Sequence, residues 1–279
     1  MAHPVLSAGR VAVVTGAAMG IGLAACKRFA ALGMRVAMAD VAADELRRAA
    51  VEVAAQAPGG GADVLALPTD VAREEEVSAL EAAVRARFGE VGLLMNNAAT
   101  RTGGGPFAPL ADWRHALEVN LWGVIHGVQA FVPAMIAQGS PCLVVNTGSK
   151  QGITNPPGNL AYNVTKAALK TYTEGLEHEL RNTPGCRVSA HLLVPGWTTT
   201  GKKEHRPGAW LPEQVIERLL AGLGRGDFYI LCPDDEVTPA MDRDRILWSA
   251  GDITENRPPL SRWHPDHRAA FERFARRAR

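Results

Sequence analysis

Cysteine is scarce in this sequence, with 4 among 279 residues. Cys26, Cys142, Cys186 and Cys232 stand far apart and form no Cys-x-x-Cys pair. Neither a disulfide framework nor a zinc site is expected, and the four read as small buried hydrophobes. Excess charge is also lacking: 30 Lys+Arg against 29 Asp+Glu leave a net +1. A chain without a broad basic field is poorly suited to nucleic acid. The uncharged run 11–26 is shorter than the ~20 residues of a membrane helix, and Gly16, Gly20 and Gly22 interrupt it. Only Arg10 precedes that run, which is not the basic region of a secretory signal. These absences predict a cytoplasmic protein with neither a membrane nor nucleic acid as partner. The 28 Gly and 18 Pro are dispersed, so no low-complexity segment is expected, and no Pro/Ser linker or internal repeat divides the chain.

What the sequence does contain is an alternation. Short apolar runs at 10–15 (RVAVVT), 35–39, 64–68, 91–95, 142–146, 187–194 and 228–232 read as strands. Helical patterns lie at 20–32, 43–56 and 74–88, the last with Val77, Leu80, Val84 and Phe88 on one face. Uniformly apolar strands separated by amphipathic helices indicate a parallel sheet covered on both sides. Right-handed crossovers then favour a doubly wound, three-layer α/β/α arrangement of Rossmann type. Length alone gives a soft prior near two domains at ~150 residues each, but α/β folds often run to ~250 residues as one. Without a linker, one domain over 1–279 is expected, with a substrate loop at about 197–226 and an extension at about 233–279.

The segment Thr15-Gly16-Ala17-Ala18-Met19-Gly20-Ile21-Gly22 lies where the first strand becomes the first helix. Glycines there allow a tight turn and let backbone N–H groups approach a pyrophosphate at a helix N-terminus. Asp40 closes the second strand, where a carboxylate accepts both hydroxyls of an adenosine ribose and repels a 2′-phosphate, which favours NAD over NADP. A helix-capping or turn role for Asp40 is the alternative. Further along, Tyr162 and Lys166 are four apart at the start of an apparent helix, so their side chains share a face. A free phenol has a pKa of ~10, and a neighbouring ammonium favours the phenolate, which suits general acid–base work. Taken alone, Tyr-x-x-x-Lys is also common on solvated helix surfaces.

Together these motifs resemble the single-domain branch of the short-chain dehydrogenase/reductase family. The resemblance rests on Thr15 to Gly22, Asp40, Asp70-Val71, Asn96-Asn97-Ala98-Ala99, Asn120, Ser149, Tyr162 with Lys166, and Pro195-Gly196, in the family's order across most of 10–200. It implies an NAD-dependent oxidoreductase interconverting a secondary alcohol and a ketone. By resemblance, Tyr162 exchanges a proton with substrate, Lys166 binds the nicotinamide ribose and lowers the tyrosine pKa, Ser149 holds the substrate oxygen, and Asn120 holds a water in a proton relay. Gly16, Met19, Gly20, Ile21 and Gly22 would cradle the cofactor, Asp70 and Val71 would contact adenine, and Asn97 and Ala98 would line the groove. Pro195 and Gly196 would meet the nicotinamide amide. Two positions depart from the pattern: Ala99 stands where the family often has Gly, and Thr198 where it usually has Ile or Val. Side-chain bonds from Thr198 or Thr200 to the cofactor are expected. A non-catalytic NAD-binding sensor, or an epimerase or dehydratase of the same family, are the competing implications.

On the substrate side, Lys150 and Gln151 follow Ser149, offering either a polar pocket edge or an outward-pointing lysine. Trp197 and Trp210 could form an aromatic wall, which leans towards a cyclic or aromatic alcohol. Lys202, Lys203, His205 and Arg206 read either as attractors of a carboxylate or as a solvated loop. In the extension, Ala270, Phe271, Phe274 and Ala275 oppose an Arg-rich face. That pattern fits a membrane or nucleic-acid arm less well than a helix docking on this subunit or a neighbour. Because family members assemble as dimers or tetramers, a tail crossing a symmetric homodimer or homotetramer interface is the expectation.

Overall fold

Seven parallel strands form one sheet in a computed structural model that describes residues 3–200 and 204–277. β1 (Val11–Thr15) is buried at every position and pairs with β2 (Arg35–Asp40) on one side and β4 (Leu93–Asn96) on the other. β3 (Val64–Pro68) lies outside β2. On the far side follow β5 (Cys142–Thr147), β6 (Val188–Val194) and the short β7 (Tyr229–Leu231), so the order is β3-β2-β1-β4-β5-β6-β7. Strand order thus reverses between β1 and β4, the place where open α/β sheets hold ligands beyond their carboxyl ends.

Two apolar layers sandwich the sheet. One holds α1 (Gly20–Ala31), α2 (Ala43–Ala54) and α8 (Pro212–Arg225), with Phe29, Leu46, Val53, Leu219 and Leu223 packed against β-strand residues such as Val14, Met38 and Val145. The other layer holds α3 (Glu74–Phe88), α4 (Leu110–Leu117), α5 (Gly123–Ala137) and α7 (Leu160–Asn182), with Leu80, Val84, Phe131 and Leu169 on Val13, Leu94 and Val144. α6 (Gln151–Thr154) is a single turn between β5 and α7. Beyond β7 come α9 (Pro239–Thr254) and α10 (Arg268–Arg277).

Several expectations need correction. Residues 212–225 form a regular helix, not part of a loop. Pro212 opens it, Gly226 ends it with φ 75°, and Val215, Ile216, Leu219 and Leu223 make its buried face. The run 11–26 is also not the segment to weigh against a membrane span: Leu110–Ala137, a helical stretch of 28 residues, is by length and composition alone long and apolar enough to cross one. Here α5 turns Val124, Val128, Phe131, Val132 and Met135 inward onto the sheet layer. A π-helical turn, Glu118–Trp122, joins α4 to α5.

The extension folds back on its own chain. Trp248 of α9 is 5% exposed and meets Phe271 and Phe274 of α10 edge-on, each with ring centroids 5.5 Å apart. Arg257 lies over the Trp248 ring at 3.8 Å, and the indole N–H donates to Ser261 Oγ at 2.7 Å. All four cysteines are free, with Cys186 half-buried and the others buried; burial pushes the Cys232 thiol up to about 12.

Candidate active site

The carboxyl ends of β1, β4 and β5 are stitched together by short polar side chains. Thr15 Oγ1 accepts the N–H groups of Asn97 and Ala98 at 3.0 and 3.1 Å. The Asn97 amide donates to the Thr15 and Gly16 carbonyls and accepts from Thr147 Oγ1. Behind them, Asn96 Nδ2 donates to Asn146 Oδ1 at 2.9 Å, and Asn146 Nδ2 to Thr173 Oγ1 of α7 at 3.1 Å. Buried amides linked in this way tie the strand ends together, although Asn96 Oδ1 has no partner among the described residues.

Beyond this seam lies a cleft of about 340 Å³. Gly16, Met19, Gly20, Ile21 and Asp40 form one end; Ser149, Tyr162, Lys166, Pro195, Gly196, Thr198 and Thr200 form the other, with Asn97 between. Gly16 has φ 64°, and a Cβ there would stand 2.8 Å from Ala98 Cα. A Cβ on Gly22 would sit 2.1 Å from the Gly16 carbonyl oxygen. Gly22 therefore permits close packing beneath the turn and is not part of the cleft wall, unlike the expected cradle role. Asp40 accepts N–H bonds from Ala18 and Ala42, both at 3.0 Å, one on each carboxylate oxygen. Each oxygen keeps a second acceptor direction, so the turn-fixing and ribose-binding readings of Asp40 are compatible. A glycine turn with no room for side chains, ending in a helix N-terminus and facing a carboxylate, fits a nicotinamide dinucleotide.

Asp70, Val71 and Ala98 line a separate hollow of about 270 Å³ beside Gly16 and Asp40, rather than the main cleft. Asp70 Oδ1 caps the N–H of Ala72, and its own N–H donates to Glu76.

At the other end, α7 presents Tyr162, 7% exposed, and Lys166, 2% exposed. Lys166 Nζ donates to the Thr147 carbonyl at 2.7 Å and lies 5.7 Å from the Tyr162 ring centroid. Burial pulls the Lys166 ammonium below its usual range; Tyr162 acts against this and Arg101 with it. Ser149 Oγ accepts the N–H of Gln151 at 3.2 Å, which leaves its hydroxyl proton free to donate. Asn120, fully buried in the π-helical turn, spends its side chain on protein: Oδ1 accepts the Thr100 N–H at 2.7 Å, while Nδ2 donates to the Thr100 carbonyl and to Thr165 Oγ1. Its amide thus holds the segment after β4.

The substrate-side residues differ from expectation. Gln151, Trp197 and Trp210 are absent from the cleft wall. Gln151 begins α6. Trp197 is 41% exposed, and Trp210 pairs with Thr198 and donates its indole N–H to Asp235. The aromatic wall is not formed because the Trp210 indole is bonded to Asp235, while Trp197 is held in the 197–211 segment through its backbone. His205 bonds Thr199 at 3.0 Å and Arg206 is exposed; Lys202 and Lys203 lie outside the described residues. Lys150 neither edges the pocket nor points outward. It is half-buried between Asp234 and Asp242, at 3.4 and 2.7 Å. Asp234 also accepts the Trp197 N–H, so this ion triad ties the Ser149 loop to the Pro195-Gly196 loop and to α9. Gly196 is needed there, since a Cβ would stand 2.5 Å from Asp234 Oδ2. Arg101, which no sequence motif singled out, lines the cleft with its guanidinium 5.1 Å from the Tyr162 ring centroid.

This fold and cleft define a nucleotide-binding oxidoreductase of Rossmann type. Residues 10–208 match the short chain dehydrogenase family, and the chain belongs to the short-chain dehydrogenase/reductase family, whose members of this kind act on CH–OH groups. It is 34% identical over 269 residues to a 1-deoxy-11-beta-hydroxypentalenate dehydrogenase of Streptomyces exfoliatus, covering 91% of this chain and 94% of that one. A Burkholderia phymatum short-chain dehydrogenase/reductase solved with NAD superposes with TM-score 0.81 at 32% identity, over 90% of this chain and 96% of that one. A metagenomic short-chain oxidoreductase solved with NADP superposes with TM-score 0.68 at 28% identity, over 81% and 98%.

Proposed function

We propose that this chain interconverts a secondary alcohol and a ketone with NAD as the preferred cofactor, Tyr162 serving as general acid–base. One observation carries the reading: a single cleft joins the glycine turn and Asp40 to Ser149, Tyr162 and Lys166. The hydroxypentalenate dehydrogenase named above, which takes an alcohol by its name, supports the reaction type.

In this reading Gly16, Met19, Gly20, Ile21, Asp40, Asn97, Pro195, Gly196, Thr198 and Thr200 hold the cofactor, with Asp70, Val71 and Ala98 at the adenine end. A nicotinamide bound there would supply the hydride acceptor for oxidation and the hydride donor for reduction. Ser149 Oγ donates to the substrate oxygen and orients it. Tyr162 Oη takes the hydroxyl proton as the alcohol becomes a ketone, and gives it back in reduction. Lys166, anchored on Thr147, lies beside the ring where negative charge develops and stabilises it. Asn120 fixes the loop that forms the near wall. The Asp40 carboxylate accepts from the ribose hydroxyls and disfavours a 2′-phosphate.

Two measurements test this. Tyr162→Phe is expected to keep cofactor affinity and lose at least ~100-fold in turnover; near-normal turnover discards the mechanism. The ratio of kcat/KM with NAD to that with NADP is expected to exceed one and to fall in Asp40→Ser; a wild-type preference for NADP rejects the cofactor assignment. We also infer a cytoplasmic homodimer or homotetramer. The free cysteines suit a reducing compartment, and Phe107, Leu110 and Trp122 leave apolar surface exposed. Light scattering in solution measures the assembly.

A further inference from the structure

The charge distribution in the cleft points to the substrate. Among the described residues, three ionisable side chains other than Tyr162 line it: Asp40, Lys166 and Arg101. Asp40 belongs to the nucleotide end and is held by two backbone N–H groups. Lys166 is buried against the Thr147 carbonyl. Lys150, next to Ser149, is neutralised by Asp234 and Asp242. Arg101 is different. It is exposed, lies over the Tyr162 ring, and among the described residues makes no ion pair with a carboxylate.

Its place is also fixed. The preceding residue, Thr100, has its N–H and carbonyl both held by the buried amide of Asn120 at 2.7 and 2.9 Å. Three residues on, Gly104 bridges to Asn159, and its carbonyl accepts the N–H of Leu160, just ahead of Tyr162. A cation held at both flanks, facing the phenol and lacking a counter-ion among the described residues, costs little to desolvate only when an anion joins it. The guanidinium fork matches a carboxylate in geometry as well as charge.

We propose that Arg101 is the substrate-binding group for a carboxylate, so that the chain acts on a hydroxy acid and its keto acid. The assignment rests on the oxidoreductase reading above and goes further in naming the substrate class. The carbinol would sit at Ser149 and Tyr162, with the acid group against Arg101. Oxidation then releases one hydride to the nicotinamide and one proton through Tyr162, while the carboxylate stays charged throughout.

The test pairs molecules that differ in charge alone. The wild type and Arg101→Gln are assayed on 2-, 3- and 4-hydroxy acids and on the methyl ester of each. The wild type is expected to prefer an acid over its ester by at least tenfold in kcat/KM, and Arg101→Gln to reduce that preference at least tenfold, chiefly through KM. Independently of turnover, cyclohexanecarboxylate is titrated against the enzyme with reduced cofactor bound, followed by nicotinamide fluorescence, with methyl cyclohexanecarboxylate as control. The carboxylate alone is expected to bind, and Arg101→Gln to weaken it at least tenfold. Esters used as well as acids, or an acid-to-ester ratio unchanged in the variant, overturn the proposal and leave Arg101 as a support for Tyr162. A parallel loss of cofactor affinity in the variant overturns it in favour of cofactor binding. Absence of turnover on every alcohol with either cofactor would instead reject the oxidoreductase reading, while the carboxylate titration still decides the role of Arg101.

Discussion

Lys150 shows why some residues of this site are legible from neighbours in sequence and others are not. Tyr162 and Lys166 are four apart on one helix, so their pairing is written locally. Lys150 meets Asp234, 84 residues away, and Asp242 beyond it; nothing near position 150 announces either partner. Arg101 is hidden for the same reason, since its site character depends on the Tyr162 ring rather than on any motif around Thr100. The ion triad makes a testable claim. Lys150→Met leaves two buried carboxylates facing each other, which is expected to cost about 3–5 kcal/mol. Chemical denaturation measures the loss. Because Asp234 also holds the Trp197 N–H, the variant's KM for cofactor is expected to rise as well.

Among the elements, strands were the easiest to foresee. A fully buried parallel strand is an unbroken apolar run, as at Val11–Thr15 and Cys142–Thr147. α8 carried equally plain signals, Pro212 at its start and Gly226 at its end, but its polar face lets it pass for loop when the 3.6-residue spacing of Val215, Ile216, Leu219 and Leu223 is overlooked. The π-helical turn at Glu118–Trp122 is of another kind. No residue pattern in EVNLW marks it; within it Asn120 bonds Thr100 and Thr165 at once. Asn120→Ala orphans the Thr100 N–H and is expected to destabilise the fold by about 1–3 kcal/mol. Thermal melting measures that loss, and faster hydrogen exchange in 97–105 is its local signature.

At the level of the whole chain, the alternation of apolar runs with amphipathic helical patterns made the doubly wound sheet legible, and the motif order across most of 10–200 agreed with it. The extension was legible only as amphipathic sequence. Its docking partner, Trp248, is one residue in a mixed helix whose importance appears once Arg257, Ser261, Phe271 and Phe274 surround it. Cutting the chain after Arg257 removes Ser261 and both phenylalanines, which leaves the indole N–H without its acceptor. The truncated protein is expected to bind a hydrophobic dye more strongly and to melt at lower temperature than the full chain. If the extension also bridges subunits, light scattering will show a smaller particle after the cut.

The turn that joins α4 to α5 has a consequence for helical phase. Each residue of an α-helix advances the side-chain direction by about 100°. A π turn holds one residue more than an α turn, so everything after Trp122 is rotated by about that angle relative to an uninterrupted rod. The upstream half of Leu110–Ala137 can thereby address α7 and the segment after β4 while the downstream half keeps Val124, Val128 and Phe131 on the sheet. Removing one residue between 118 and 122 would restore a continuous α-helix and turn one of those two faces towards solvent.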